Sequence, residues 1–263
     1  MDIVEQLPDP FRALLGPVEW TERPPQGATS QVQILGGSRG VFVVKRASRP
    51  PFDAWLRREA AVLRALEPGG LPAPRVVDYV EREQDQGREH WLLMTRLPGE
   101  PLSALLARPL APGQRRTLLR GFGALLADLH RRPAPAELVP PGGDWLAHAL
   151  QQAGDYLSRY QVDGSPELLE RLRSHPPAPV ASALIHGDCT LDNVLAEGGR
   201  ISGVIDWFGG AQGDPRYDLA LATQPVEEAF QQPDDLEAFY AGYGGPRLTP
   251  EEADYFVGLY EFF

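Results

Sequence analysis

Lysine is nearly absent from this chain of 263 residues: beside 24 arginines there is one, Lys45. Wherever a generic surface cation suffices the sequence uses arginine, so the exception marks a place where the shape of the head group matters. Cysteine is equally scarce. The lone Cys189 excludes an intrachain disulfide and a cysteine-built zinc site. No apolar run approaches the ~20 residues of a membrane-spanning helix. The start, Met1-Asp2-Ile3-Val4-Glu5, lacks the basic-then-apolar layout of a signal peptide. A cytoplasmic location is therefore expected, with no membrane association. Positive charge is in deficit too. A formal net charge of −11 argues against a nucleic-acid partner, whose phosphate backbone requires a basic stripe. It suits a small cationic partner, and would equally serve solubility alone. The 27 prolines and 27 glycines are spread between periodic segments, without a low-complexity block or an internal repeat. Nothing in the composition calls for an obligate protein partner.

What is present centres on His186-Gly187-Asp188, with Asn193 five residues after the aspartate and Asp206 at the end of the apolar stretch Ile201–Ile205. Val180–Ile185 predicts a strand and residues 186–193 a polar loop. Val194-Leu195 and Ile201–Ile205 predict a hairpin turned at Glu197-Gly198-Gly199. A site that moves the γ-phosphoryl of a nucleotide needs a carboxylate beside the accepting hydroxyl, an amide oxygen on a metal ion and a second carboxylate on the metals. Asp188, Asn193 and Asp206 fit those roles in that order. Asp and Asn are also common loop residues, and any one of them alone reads as turn chemistry; the joint spacing favours a phosphoryl-transfer centre. Cys189 has no His/Asn constellation around it and is not read as a nucleophile.

Lys45 ends the apolar run Val41-Phe42-Val43-Val44, which reads as a central strand. A compact ammonium on a flexible stem reaches nucleotide phosphate oxygens where a planar guanidinium does not fit. The next segment, Phe52–Leu66, carries Phe52, Leu56, Leu63 and Leu66 at helical spacing, with Glu59 between Leu56 and Leu63. An acid on an apolar face implies a partner, so Lys45 and Glu59 are expected to pair, the lysine being turned toward the nucleotide. The alternative is a glutamate at the stripe's edge reaching solvent.

Together with Ile205-Asp206-Trp207 and Gly213-Asp214-Pro215-Arg216-Tyr217-Asp218-Leu219-Ala220, these residues resemble the aminoglycoside phosphotransferase superfamily, relatives of the eukaryotic protein kinases. The resemblance runs nearly end to end. It is greatest to aminoglycoside 3′-phosphotransferases, in overall length, in Asp218–Thr223 and in the ending Leu259-Tyr260-Glu261-Phe262-Phe263. It implies an α+β, bilobal protein-kinase-like fold. Residues 1–94 would form a small nucleotide-binding lobe of antiparallel sheet with one helix, 95–99 a hinge, and 100–263 a larger, mainly helical catalytic lobe with a helical insertion at about 133–175. It further implies Asp188 as the catalytic aspartate, magnesium held by Asn193 and Asp206, and His186 and Asp218 as internal supports of the loop. ATP or GTP would be the donor. Gly27-Ala28-Thr29-Ser30 matches a small-residue turn whose backbone, with the hydroxyls of Thr29 and Ser30, cradles phosphate. Trp91–Met94 leads into Thr95, Arg96 and Leu97, whose backbone would meet the purine; Trp91 and Met94 also read as plain core, Trp91 more so.

Gln114–His130 is amphipathic, with Leu118, Leu119, Phe122, Leu125, Leu126 and Leu129 at helical spacing and a terminal His130 that reads as a core or capping histidine. Residues 133–141 form a stiff proline-rich connection into helical patterns around Trp145–Tyr160 and Glu167–Arg173. For the acceptor, the resemblance implies amine contacts from Glu228, Glu261 and the Phe263 carboxylate. Three departures accompany it. Gln224-Pro225 stands in for a usual Arg-Asp step, Tyr260 for a usual Asp, and Tyr156–Tyr160 lacks paired acids. The expected function is phosphoryl transfer to a hydroxyl of a small cationic acceptor, an aminoglycoside modified in the 3′ manner and so an antibiotic-resistance activity. The alternatives are a kinase of an endogenous sugar or amino alcohol, and a nucleotide-binding pseudokinase.

Overall fold

Short β-branched and leucine-rich runs punctuated by glycine build the first of two compact units, Met1–Leu97, in the computed structural model, which describes residues 3–24, 30–84, 87–227 and 229–263. Its sheet has five strands, β1 (Trp20–Glu22), β2 (Gln31–Gly37), β3 (Gly40–Ala47), β4 (Val76–Gln84) and β5 (Gly87–Thr95), in the order β1-β2-β3-β5-β4. Every neighbouring pair is antiparallel. The central β3 places Lys45 opposite Val32 on one side and Leu92 on the other. Because successive side chains of a strand point to opposite faces, Lys45 and Arg46 diverge. Arg46 turns to Glu89 and lies over the ring of Trp91, while Lys45 turns to α2 (Phe52–Leu66).

This unit holds one helix more than expected. Residues Asp9–Leu15 form α1, in which Phe11 and Leu15, four apart on one face, are buried against Leu35, Val44, Trp91 and Leu93 of the sheet. Seven residues are too few for a clear periodic signal, and the helix persists because that face is covered. Trp91 is wholly buried in the same cluster and Met94 is buried beside it, so both are core residues.

The second unit, Pro98–Phe263, contains β6 (Glu100–Pro101), α3 (Leu102–Leu106), α4 (Gln114–Arg131), α5 (Trp145–Arg159), α6 (Pro166–Ser174), β7 (Ala183–Ile185), β8 (Val194–Glu197), β9 (Arg200–Val204), β10 (Ala211–Gly213), α7 (Pro215–Thr223), α8 (Pro233–Tyr243) and α9 (Pro250–Tyr260). Side-chain caps fix where the helices begin. Asp144 accepts from the Ala147 N–H, Ser165 from Leu168, and Thr249 with Glu252 closes a capping box on α9. The core packs Ile185, Leu169, Phe256, Leu259 and Phe262 together, with the Phe262 ring close against Gly164. No helix among the described residues is long and apolar enough to cross a membrane.

The strand expected over Val180–Ile185 is shorter in the structure. Only Ala183–Ile185 pairs, with β10. Pro176, Pro177 and Pro179 just upstream have no N–H for a ladder, and Val180 lies 47% exposed. The hairpin forms as β8 and β9, turned through Gly198 and Gly199 at φ of +58° and +77°. Two successive left-handed residues are what a tight two-residue hairpin turn needs.

Candidate active site

The loop from His186 to Asn193 leaves β7 and is fastened from beneath by Asp218 of α7. The fully buried Asp218 carboxylate accepts the backbone N–H of His186 at 2.7 Å and of Gly187 at 2.8 Å. His130, at the end of α4, meets the same carboxylate through Nε2 at 3.2 Å and the Tyr243 hydroxyl through Nδ1 at 3.1 Å, so it is a satisfied buried histidine. His186 is also an internal brace. Its Nδ1 accepts the Asp188 N–H and its Nε2 donates to the Ile205 carbonyl at 2.9 Å. Burial pushes its pKa down, which suits the neutral tautomer those two bonds require.

Gly187 makes the next link. At φ +81° it lies against the backbone of Gly209, close enough that a Cβ on Gly187 would fall 2.4 Å from the Gly209 oxygen. That contact joins the loop to the segment following Asp206. Gly187→Ala is expected to lower unfolding stability by about 3 kcal/mol, combining left-handed backbone strain with an overlap against main chain. Urea denaturation measures it, and a midpoint equal to the unsubstituted protein's would show that the two loops do not touch.

Above this frame stand the three expected oxygen donors. Asn193 Nδ2 donates to the Asp188 carbonyl and to Asp188 Oδ2, each at 2.8 Å. The Asn193 carbonyl accepts the Ile205 N–H at 2.9 Å, so Asn193 and Asp206 leave neighbouring points at the open end of the β8–β9 hairpin. Asp206 adopts the left-handed region at φ +65°, an uncommon conformation for a non-glycine residue and one that clusters at functional sites. The side-chain amide protons of Asn193 are committed to Asp188, which leaves the side-chain oxygen Oδ1 as its remaining acceptor. That oxygen and the Asp206 carboxylate are hard donors suited to Mg2+, which binds through one or two protein ligands plus substrate phosphates. Among the described residues no three His, Cys, Asp or Glu side chains gather into a metal cluster.

Asp188 is held on both oxygens. Opposite Asn193, the Tyr260 hydroxyl at the end of α9 donates to Oδ1 at 2.7 Å. Burial pushes the Asp188 pKa up to about 7, against the lowering effect of the Tyr260 and Asn193 hydrogen bonds and with a further upward push from Asp206 and Asp218. Such a group is a base poised near neutrality. Cys189 beside it is wholly buried with its pKa pushed up by that burial, so it is an inert packing residue.

In the first unit, Lys45 Nζ donates to both Glu59 oxygens, at 2.8 and 2.9 Å, with the residues only 6% and 4% exposed. Of the expected phosphate turn, Thr29 lies outside the described residues and Ser30 is half-buried just ahead of β2. Thr95 ends β5 with its N–H on the Arg75 carbonyl and its Oγ1 accepting the Arg75 N–H, each at 2.9 Å; Arg96 and Leu97 follow it. Glu228 lies outside the described residues. Glu261 is exposed and its carbonyl accepts the Gly164 N–H at 2.8 Å, while the half-buried Phe263 ring sits 5.5 Å from that of Tyr156. The contact sequence reasoning missed is Tyr260 with Asp188. Its only signal was the tyrosine standing where the resemblance expects an acid.

A model of the family described as APH, the phosphotransferase enzyme family, matches residues 20–256. Homoserine kinase of Neisseria meningitidis serogroup B is 33% identical over 141 residues, 51% of this chain and 46% of that kinase, so this match spans less than half of the relative. Homoserine kinase of Pseudomonas aeruginosa is 30% identical over 248 residues, 89% of this chain and 74% of the relative. Viomycin phosphotransferase of Streptomyces vinaceus is 35% identical over 200 residues, 71% and 67% of the two chains. The crystal structure of an aminoglycoside-3′-phosphotransferase of type VIII superposes with a TM-score of 0.75 at 26% identity, covering 97% of this chain and 98% of that one.

Proposed function

Since this chain belongs to the phosphotransferase enzyme family, we propose that it transfers the γ-phosphoryl of ATP or GTP to a hydroxyl of a small, amine-bearing acceptor, an aminoglycoside modified in the 3′ manner being the first candidate. The observation that carries this reading is Asp188, a half-buried carboxylate held by Asn193 on a loop fastened by Asp218. In the proposed reaction Asp188 orients the acceptor hydroxyl and takes its proton. The acceptor oxygen bonds to the γ-phosphorus as the bond to the bridging oxygen breaks, and a nucleoside diphosphate leaves. Asn193 and Asp206 would hold Mg2+, which when bound neutralises charge on the phosphate oxygens. Lys45, kept oriented by Glu59, presents a cation to the nucleotide phosphates, with the turn at Thr29 and Ser30 as their cradle. Because the N–H and Oγ1 of Thr95 are engaged by Arg75, purine contacts from that stretch are assigned to the Thr95 carbonyl and to the backbone of Arg96 and Leu97. Acceptor amines are assigned to Glu228, Glu261 and the Phe263 carboxylate.

A second reading, a smaller amino alcohol or hydroxy amino acid as acceptor, is favoured by Tyr260. Its neutral phenol stands on Asp188 where a polyamine site would gain from another carboxylate. Nucleoside diphosphate release measured across kanamycin, viomycin, L-homoserine, choline and a neutral sugar decides between them. Transfer to kanamycin supports the first reading and transfer confined to L-homoserine or choline the second. Absence of transfer to every hydroxyl rejects the assignment. Glu261→Gln should raise KM for the amine-bearing acceptor roughly two- to fivefold with kcat unchanged, the modest scale of an exposed charge contact; an unchanged KM removes Glu261 from the acceptor site.

A further inference from the structure

Asp188 offers two oxygens and Asn193 holds Oδ2, so Oδ1 is the oxygen left to orient an acceptor. The Tyr260 hydroxyl is already there. It donates to Oδ1 at 2.7 Å, within the ~2.6–3.2 Å that places a group in reach of a general base. The contact is chemically the one an acceptor alcohol must make, an O–H on the same carboxylate oxygen. Exchanging one for the other leaves the count of hydrogen bonds on Asp188 unchanged.

We propose that Tyr260 is a specificity-determining residue of the acceptor site: its hydroxyl occupies on Asp188 the place of the acceptor hydroxyl, so an acceptor must displace it and water is kept from that oxygen. This rests on the phosphotransferase reading above. The position in the fold permits the exchange. Tyr260 is the last residue of α9, and its flanks Leu259 and Phe262 are wholly buried and anchor the chain. The Tyr260 ring itself is half-buried, 6.4 Å from that of Tyr217. Turning the side chain away therefore leaves the helix in place. An acceptor that brings further contacts replaces the phenol, whereas a lone water, held by fewer bonds, does not. Discrimination between alcohol and water follows from that difference.

The test is Tyr260→Phe, which keeps the ring and removes the hydroxyl. Tyr255→Phe serves as control, since it removes from the same helix a tyrosine hydroxyl that donates to the Leu172 carbonyl, away from Asp188. With MgATP and no acceptor, Tyr260→Phe should hydrolyse nucleotide about fivefold faster than the unsubstituted protein, the factor that one net hydrogen bond of ordinary strength represents. With whichever of kanamycin, viomycin or L-homoserine the unsubstituted protein phosphorylates, KM should fall by a similar factor while nucleotide affinity stays unchanged. Tyr255→Phe should alter neither rate. An active Tyr260→Phe enzyme with unchanged hydrolysis and unchanged or higher KM would overturn the proposal alone, showing that the acceptor binds beside a fixed Tyr260. Equal effects from Tyr255→Phe would overturn it as a general consequence of loosening α9. An unsubstituted protein that phosphorylates neither water nor any acceptor would overturn both this proposal and the reading beneath it.

Discussion

Asp188→Asn is expected to lower turnover by ~10²–10⁴, the range for a positioned base, while nucleotide affinity changes little. Asparagine fits the site without disturbing it. Its carbonyl oxygen can still accept from Asn193, and its amide can donate to the oxygen of Tyr260, whose hydroxyl turns to suit. Only the capacity to take a proton is lost. The pH profile separates this from misfolding. With Asp188 pushed up to about 7, kcat/KM of the unsubstituted enzyme should fall as pH drops through that value, and the residual rate of Asp188→Asn should lack this limb. The same shift has a stability consequence. A carboxyl whose folded pKa lies above its unfolded value near 3.8 contributes stability that is fully present below that value and lost as pH rises through about 7. Metal-free and nucleotide-free Asp188→Asn should therefore melt above the unsubstituted protein at pH 8, and that advantage should shrink as pH falls. Near-normal turnover in the variant would remove Asp188 from the chemistry.

Parts of this arrangement were legible because their signals are local. Lys45 stood out as a lone lysine ending an apolar strand, and Glu59 as an acid on the apolar face of Phe52–Leu66; the structure brings them within 2.8 Å. The helices Phe52–Leu66 and Gln114–Arg131 follow strong apolar periodicity, so their bounds were readable to within a residue. What escaped depends on chain segments far apart. Tyr260 reaches Asp188 from 72 residues away, through the packing of α9 on α7, and no spacing rule encodes that approach. The link from His130 to Asp218 spans 88 residues; periodicity places His130 at a helix end without naming its partner, whereas the resemblance already implied His186 and Asp218 as supports of the loop. Short elements were missed or overdrawn for a different reason. In α1 seven residues carry too little pattern and burial decides their state, while the strand expected at β7 runs three residues too long because the upstream prolines bar the ladder.

Glu59→Ala is expected to destabilise the protein by ~3–5 kcal/mol, the cost of leaving one member of a buried ion pair without its partner. Lys45 is 6% exposed and donates to both oxygens of Glu59, so removing the carboxylate takes both of those charge-assisted bonds from a buried ammonium. Lys45→Met should cost a similar amount, because it strands the carboxylate instead. The double variant Lys45→Met/Glu59→Leu should recover much of that loss, since two apolar side chains of similar volume carry no desolvation penalty. Urea denaturation of the unsubstituted protein, Lys45→Met, Glu59→Leu and the double variant closes the cycle and isolates the coupling. Activity should follow a different order. Lys45→Arg keeps the charge but replaces a compact ammonium by a planar fork, and is expected to retain much of the stability while losing nucleotide affinity or turnover. The double variant would be stable and inactive, separating what the pair does for the fold from what the lysine does for the nucleotide. If single and double variants unfold within ~1 kcal/mol of one another, Lys45 and Glu59 do not act as a buried unit, and the orientation of the lysine must come from elsewhere in the first unit.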